Sequence, residues 1–164
     1  MVATERTAVD AIDLQILSHL QTNARNTQSD IAKAVGLAPS GVLERIRKLE
    51  ARGAIAGYTA YIEPKILGLR MLAFVAVRTD EVARDNRIAH ELAEVPEVLE
   101  VHHVAGDDCY LVKVRARDPE HLGQLLRTRI GRIAGVRSTR TTIVLETVKE
   151  TSRLPIPRPP DVTP

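Results

Sequence analysis

The chain contains little that could crosslink it, cage a metal or stack against bases. Cys109 is the single cysteine among 164 residues, so an internal disulfide and a cysteine cage for zinc are both excluded. Tryptophan is absent, and Phe74 and three tyrosines make up the whole aromatic set, which is too small for a single-strand binding surface built on base stacking. We therefore expect a protein of the reducing cytoplasm with no cofactor and no metal site.

The chain also lacks a strong net charge and a long apolar run. Its formal charge is only +2, so any affinity for nucleic acid must come from the local placement of cations. No apolar run approaches the roughly 18 residues that a transmembrane helix needs, and the N-terminus MVATERTAVD has no hydrophobic signal core. A hydrophobic content of 44% is enough for one ordinary domain or two small ones. A soluble protein with no membrane partner is the expectation.

Residues 27–52 have the pattern of two short helices joined by a tight turn. Thr27 can cap the first helix, Gly36 can end it, and Pro39 can open the second. Apolar residues recur at helical spacing in both: Ile31, Ala32 and Val35, then Val42, Leu43, Ile46 and Leu49. The opposite arc of the second helix carries small residues and then cations: Ser40, Gly41, Glu44, Arg47, Lys48 and Ala51, with Arg45 and Arg52 at its edge. This arrangement predicts a recognition helix for DNA, although an ordinary solvated helix face has the same composition.

The flanking residues complete a small DNA-binding head. Asp10 is a predicted N-cap, with Asp13 at the third position, for a helix that runs to about Gln21. Three short helices are the minimum that can enclose a core around a helix-turn-helix. Residues 54–62, AIAGYTAYI, are rich in β-branched and aromatic residues and predict a strand that leaves the head. The predicted divisions are a flexible arm at 1–8, a DNA-binding domain with its linking strand at 9–62, and a connector at 63–69.

Residues 70–150 repeat one strand-helix-strand pattern. The predicted elements are strand 71–79, helix 83–94 and strand 97–105, then strand 109–116, a helix from Pro119 and a last strand to about Val148. A turn at 106–108 joins the two copies into βαββαβ, the ferredoxin-like arrangement, with one four-stranded antiparallel sheet and both helices on one face.

The first strand of this domain is apolar on both sides. Because Met71 to Val77 would bury both faces, another copy of the sheet is expected to cover the face that the helices leave open. The tail at 151–164 is proline-rich and should be extended, either free or bound along a neighbouring subunit.

Taken together, these segments resemble the Lrp/AsnC (feast/famine) family of transcriptional regulators. The resemblance is carried by residues 12–17 (IDLQIL), 31–37 (IAKAVGL), 45–50 (RIRKLE), 53–58 (GAIAGY), 104–111 (VAGDDCYL) and 135–141 (GVRSTRT), and it covers about residues 9–150. It implies an α+β protein with a winged-type helix-turn-helix head, a strand linking it to a ferredoxin-like domain that dimerises, assembly to tetramers or octamers, and sensing of amino acids.

The expected DNA-binding residues lie at the start of the helix pair and along its second helix. They are Thr27, Gln28, Ser40, Gly41, Glu44, Arg45, Arg47 and Lys48. We expect them at or near the major groove of double-stranded DNA, with the cations mainly on phosphates. The family usually has a serine before the third helix, where this chain has Ala38; that change forfeits a side-chain cap worth roughly 1 kcal/mol, which Ser40 would partly replace.

The expected effector-binding residues lie on the turn between the two copies and on the last strand. They are Gly106, Asp107, Asp108, Cys109 and Tyr110, with Arg137, Thr139 and Thr141 expected from a neighbouring dimer. Free N–H groups suit a carboxylate and adjacent aspartates suit an ammonium, so this group fits a zwitterion, although an ordinary hairpin turn has the same composition. The family often has aspartate where this chain has Cys109. Since a shift of one residue reverses side-chain direction on a strand, the departure bears on which effector the site takes.

We predict a sequence-specific DNA-binding transcriptional regulator whose assembly or DNA binding responds to a small effector, an amino acid. Two alternatives stay open: an effector-independent architectural DNA-binding protein, and an enzyme on a ferredoxin-like domain. Cys109 with His102 or His103 would supply a thiol and a base. However, successive residues of a strand face opposite sides, and the chain has neither a phosphate loop nor a nucleophile elbow. The sequence therefore favours a regulator that is not an enzyme.

Overall fold

The computed structural model describes residues 9–80, 86–106 and 108–157. They divide into two units, the first running to Ala60 and resuming at Thr151, the second running from Tyr61 to Glu150. The predicted arm at 1–8 and the end of the tail lie outside the described residues. No helix in the described ranges is both long and apolar enough to cross a membrane.

The first unit contains the three predicted helices. They are α1 (Ala11–Thr22), α2 (Gln28–Val35) and α3 (Pro39–Ala51). Asp10 caps α1 by accepting the N–H of Asp13 at 2.8 Å, and the Asp13 carboxylate accepts the N–H of Asp10 at 3.3 Å. Gly36 ends α2 at φ 70°, a left-handed conformation that glycine adopts without steric penalty. The core beneath the helices consists of Ile16, Ile31, Ala32, Val42, Ile46 and Leu49. The three-helix head is therefore confirmed.

The N-terminus of α3 has no side-chain cap. Ala38 holds the cap position with an extended backbone, and Pro39 follows at the first helical position. Proline fixes φ near the helical value and lacks the N–H that would need a partner there, so it supports the start of the helix without a cap. Ser40, which we expected to replace the lost cap in part, does not do so.

Residues 54–62, predicted as the linking strand, form no strand within the described chain. Tyr61 and Ile62 are exposed there, and the next element is a short 3-10 helix at Pro64–Leu67. The β-branched and aromatic residues of this segment favour an extended backbone, but a strand also needs a neighbour to take its N–H and C=O groups. The described residues of a single copy supply no such neighbour to this segment.

The second unit has the predicted ferredoxin-like topology. Its elements are β1 (Met71–Thr79), α4 (Arg87–Ala93), β2 (Val98–His103), β3 (Tyr110–Ala116), α5 (Pro119–Thr128) and β4 (Val136–Ile143). The strands form one antiparallel sheet in the order β2-β3-β1-β4. The predicted start of α4 falls at 83–85, outside the described residues. The last strand ends at Ile143, not near Val148, because β1 begins at Met71 and offers nothing further to pair with.

The two faces of the sheet have different surroundings. The helix-covered face is the core of the unit, where Val75, Val77, Val112 and Val114 are inaccessible to solvent and pack with residues of α4 and α5. We call the other side the open face. The register places Leu72, Phe74 and Ala76 of β1 there, beside Arg115, Lys113 and Leu111 of β3. The open face is therefore apolar along β1 and partly charged along β3.

An ion-pair cluster lies on the charged part of the open face. Lys113 Nζ contacts Glu100 Oε1 at 2.8 Å and also pairs with Glu150, whose Oε2 accepts from Arg115 Nη2 at 3.0 Å. The side chains of Lys113 and Arg115 are only 12% and 14% exposed. The hydrogen bond from Lys113 lowers the pKa of the Glu150 carboxyl and, together with His102, that of Glu100. This cluster fastens residue 150 to the sheet.

Candidate nucleic-acid interface and effector site

The N-terminus of α2 presents two of the expected DNA-binding residues. The Thr27 hydroxyl accepts the N–H of Asp30 at 3.1 Å and donates to the Asp30 carboxylate at 2.7 Å, so it caps the helix. Gln28, the first helical residue, is exposed beside it. The cap leaves Thr27 at the surface, where helix N-termini attract phosphate groups.

The outer face of α3 is the second part of the candidate interface. Ser40, Glu44, Arg47 and Lys48 are exposed on it. Gly41 is half-buried, and nothing lies within 4 Å of where its Cβ would be, so a surface can approach the helix closely there. Lys48 Nζ contacts Glu44 Oε1 at 2.6 Å one turn away, and this pairing lowers the pKa of the Glu44 carboxyl. α3 therefore has small groups near its start and cations further along.

Arg45, which we expected in the interface, has a different position. Its Nη1 atom contacts Asp10 Oδ2 at 2.6 Å and Asp13 Oδ1 at 2.8 Å, so it joins α3 to the first turn of α1. The Asp13 side chain is only 8% exposed. The Asp13 backbone N–H and then Arg45 lower the pKa of the Asp10 carboxyl. Arg45 is thus a link within the head, which its place at the edge of the outer arc did not reveal.

The turn between β2 and β3 holds the first group of expected effector residues. Gly106 has φ 127°, a conformation that favours glycine, and Asp107 lies outside the described residues. Asp108 Oδ2 accepts from Arg140 Nη2 at 2.7 Å. The Cys109 N–H donates to the Val77 carbonyl at 3.0 Å, and its thiol lies 3.9 Å from the Thr79 carbonyl.

Tyr110 belongs to the core and does not form an exposed wall for a ligand. It is 4% exposed, and its ring lies 5.2 Å from that of His103. The position follows from the register, because Tyr110 is opposite Val77, a residue of the helix-covered face. Its contact with a ligand would require movement of the turn.

The second group of expected effector residues, on β4, is divided between two environments. Thr139 and Thr141 are opposite Val77 and Val75, and thus on the helix-covered side. Arg140 lies between them on the open face, where it holds Asp108. Arg137, beside an irregularity in the β1–β4 pairing, forms an ion pair with Asp80. The structure thus brings the turn and the start of β4 to one end of the sheet, with Arg140 and Asp80 as neighbours that the sequence prediction omitted.

The chain was compared with known protein families and structures. Residues 72–154 match the Lrp/AsnC ligand binding domain, and residues 9–56 match a winged helix-turn-helix DNA-binding domain. The HTH-type transcriptional regulator FL11 of Pyrococcus horikoshii is 42% identical over 151 residues, covering 92% of this chain and 99% of that protein. The leucine-responsive regulatory protein of Escherichia coli K12 is 39% identical over 150 residues, covering 90% of this chain and 92% of that protein.

A solved structure extends the likeness to the whole described fold. It is that of the feast or famine regulatory protein from M. tuberculosis complexed with L-methionine, which superimposes with a TM-score of 0.84 at 37% identity. The match covers 92% of this chain and 100% of that one. The likeness therefore includes both units and is not confined to a shared motif.

Proposed function

The chain belongs to the Lrp/AsnC family of transcriptional regulators, and from this membership we propose that it acts as a homodimer which reads pseudo-palindromic DNA and responds to an amino acid. The helix-turn-helix head is its DNA-binding part and the ferredoxin-like domain its ligand-binding part. The outer face of α3 supports the DNA part of this proposal most directly, because small groups and exposed cations lie together there. Enzymatic activity is not proposed, since the relatives are named as transcriptional regulators.

The DNA contact is tested by mobility shift on the region upstream of the protein's own gene. Arg47→Ala is expected to weaken binding and to flatten its dependence on salt, because removing one phosphate neighbour of the DNA-bound protein reduces the slope of log K against log salt by roughly 0.9. Lys65→Ala removes an exposed cation outside the head and serves as the matched control. Equal affinity and equal salt slope for Arg47→Ala and wild type would exclude this face of α3.

For the effector, we propose that a small amino acid binds at the end of the sheet formed by the β2–β3 turn and the start of β4. One relative is named leucine-responsive and another is described in complex with L-methionine, which supports an apolar side chain on the ligand. Asp108 offers a carboxylate for an ammonium group, and its pairing with Arg140 would have to open or be shared. A ligand that competes for an existing ion pair can change the structure around it, as a regulatory site requires.

Calorimetry against the twenty amino acids tests the effector site. If one binds, Asp108→Asn and Thr139→Val should weaken it by about tenfold or more, since a charge-assisted hydrogen bond contributes roughly 1.5–3 kcal/mol. Thr142→Val is the matched control, because Thr142 lies on the same strand but faces the other side of the sheet. Binding unaffected by Asp108→Asn and Thr139→Val would place the effector elsewhere. Absence of binding by all twenty would favour the effector-independent alternative.

For assembly, we propose that the open face forms the dimer interface and that dimers associate further to tetramers or octamers. The apolar row Leu72, Phe74 and Ala76 supports the first step, because a second copy of the same row is self-complementary about a two-fold axis. The linking segment 54–62, which forms no strand in one copy, would gain a strand partner from the second copy.

A further inference from the structure

The described part of the C-terminal tail, residues 151–157, returns to the first unit and lies on α1. Gln21, on the last turn of α1, binds the backbone of Leu154 at two points. Its Nε2–H donates to the Leu154 carbonyl at 2.7 Å, and the Leu154 N–H donates to Gln21 Oε1 at 2.9 Å. A side-chain amide that takes both backbone groups of one residue imitates a neighbouring β-strand, so this contact recognises extended peptide.

A charged contact accompanies the amide pair. Arg153 Nη2 donates to the carbonyl oxygen of Thr22, the last residue of α1, at 3.2 Å. Carbonyls in the last turn of a helix have no partner within the helix, and the negative end of the helix dipole attracts cations. Pro155 disfavours the helical conformation at Leu154 and so restricts it to the extended backbone that the amide contact needs. The local sequence thus fits the docked conformation.

The docking depends on hydrogen bonds and charge, with little apolar burial. The Leu154 side chain is 72% exposed, and all three hydrogen bonds to α1 are at the surface. Contacts of this kind are in competition with water, so the docked segment can be released and rebound without unfolding either unit.

The residue directly before the tail is fastened to the second unit. Glu150 pairs there with Lys113 and with Arg115. Only Thr151, Ser152 and Arg153 separate Glu150 from Leu154 along the chain. The chain is therefore bound to the second unit and to the first within five successive residues.

We propose that residues 151–157 form a docking strap, a segment which the end of α1 recognises through Gln21 and Thr22 and which belongs to the same chain. The head then has two attachments to the ligand-binding domain: the covalent passage after Ala60 and the docked strap. Release of the strap leaves the head with one attachment and more rotational freedom. The strap gives the regulator a reversible restraint on the head that is separate from both the DNA-contacting face and the effector residues.

Limited trypsin digestion of the full chain, followed by mass spectrometry, tests the strap. Trypsin cuts the Arg153–Leu154 bond only when several residues around it are free, so docking should protect it. Gln21→Ala should speed this cut at least fivefold. Gln21→Glu should do the same, because a carboxylate oxygen then faces the Leu154 carbonyl. Gln15→Ala, on the same helix but without a hydrogen bond to the strap among the described residues, should leave the rate unchanged.

The bond after Arg52, which follows α3, provides an internal reference in each digest and should be cut equally in all four proteins. Equal cutting at Arg153 in wild type and Gln21→Ala would overturn the proposal. Wild-type protection that disappears on dilution would also overturn it, because the strap would then come from another copy. Neither readout involves DNA or an effector, so the outcome is independent of the proposed function.

Discussion

Two neighbouring arginines on α3 have separate tasks although they differ by two positions in the sequence. Arg45 points towards α1, where it joins two aspartates, and Arg47 is exposed on the outer face. A helix turns by about 100° per residue, so residues two apart lie on different sides of it. At the residue scale, the same side-chain chemistry stabilises the head in one case and is available to phosphate in the other.

Arg45→Ala is therefore expected to lower the stability of the head by about 1–3 kcal/mol, because it leaves the largely buried Asp13 carboxylate without its cation. Arg47→Ala should leave stability within about 0.5 kcal/mol, as surface substitutions usually do. Urea unfolding of the two variants, followed by circular dichroism, provides the measurement. Equal stability of both variants would mean that the Arg45 pairs contribute nothing.

Acid should weaken the second unit through Glu150. Lys113, by its hydrogen bond, holds the pKa of Glu150 below its ordinary value of 4.5. A carboxyl with a lowered folded-state pKa stabilises the fold above its unfolded pKa, and this contribution is lost as pH falls through the folded pKa. The stability of the wild type should therefore fall from about pH 5 downward, and Glu150→Gln should fall less steeply over that interval. Glu146→Gln, an exposed glutamate near it, is the control.

At the element scale, periodicity and pairing rules determined how much of the fold was predictable. The period of 3.6 located α1, α2 and α3, and the doubled strand-helix-strand pattern gave the correct sheet order, because burial is regular along each element. The outcome for segment 54–62 was not predictable in that way. Its residue types favour an extended backbone, but pairing depends on which other backbone is present.

Contacts between distant parts of the chain were the other limit. Arg45 binds Asp10 across 35 residues, and Gln21 binds Leu154 across 133. No local pattern marks such pairs, since each partner looks like an ordinary polar surface residue in its own segment. Asp108 was expected in the effector site, whereas the cation that holds it, Arg140, lies between two expected residues on the opposite face of β4.

The two sides of β1 should respond differently to a charge. Val75 is fully buried against the helices, so Val75→Glu should prevent stable folding of the unit, because an unpaired buried charge costs several kcal/mol. Phe74 is on the open face, so Phe74→Glu should leave the fold intact and dissociate the proposed dimer. Circular dichroism and sedimentation velocity distinguish the two outcomes. A folded Phe74→Glu variant that sediments like the wild type would exclude the open face as the interface.

At the scale of the whole molecule, dimerisation is proposed to provide DNA affinity that the net charge of +2 cannot provide. One head presents few exposed cations on its outer face, so a single head should bind DNA weakly and with little sequence preference. Two heads in one dimer behave differently, since binding of the first raises the effective concentration of the second at the neighbouring half-site. The ligand-binding domain then controls DNA binding by controlling assembly, without contact with DNA.

This coupling predicts a specific difference between full operators and half-sites. Phe74→Glu, if folded and monomeric, should bind a two-half-site fragment about 10²-fold or more weakly than the wild type, because it loses the gain from the linked second head. On a fragment with one half-site, the two proteins should bind with similar affinity, since α3 is unchanged. Fluorescence anisotropy on both fragments at one salt concentration measures the difference. If the monomeric variant bound the full fragment as tightly as the wild type, each head would act alone, and assembly could not transmit an effector signal to DNA.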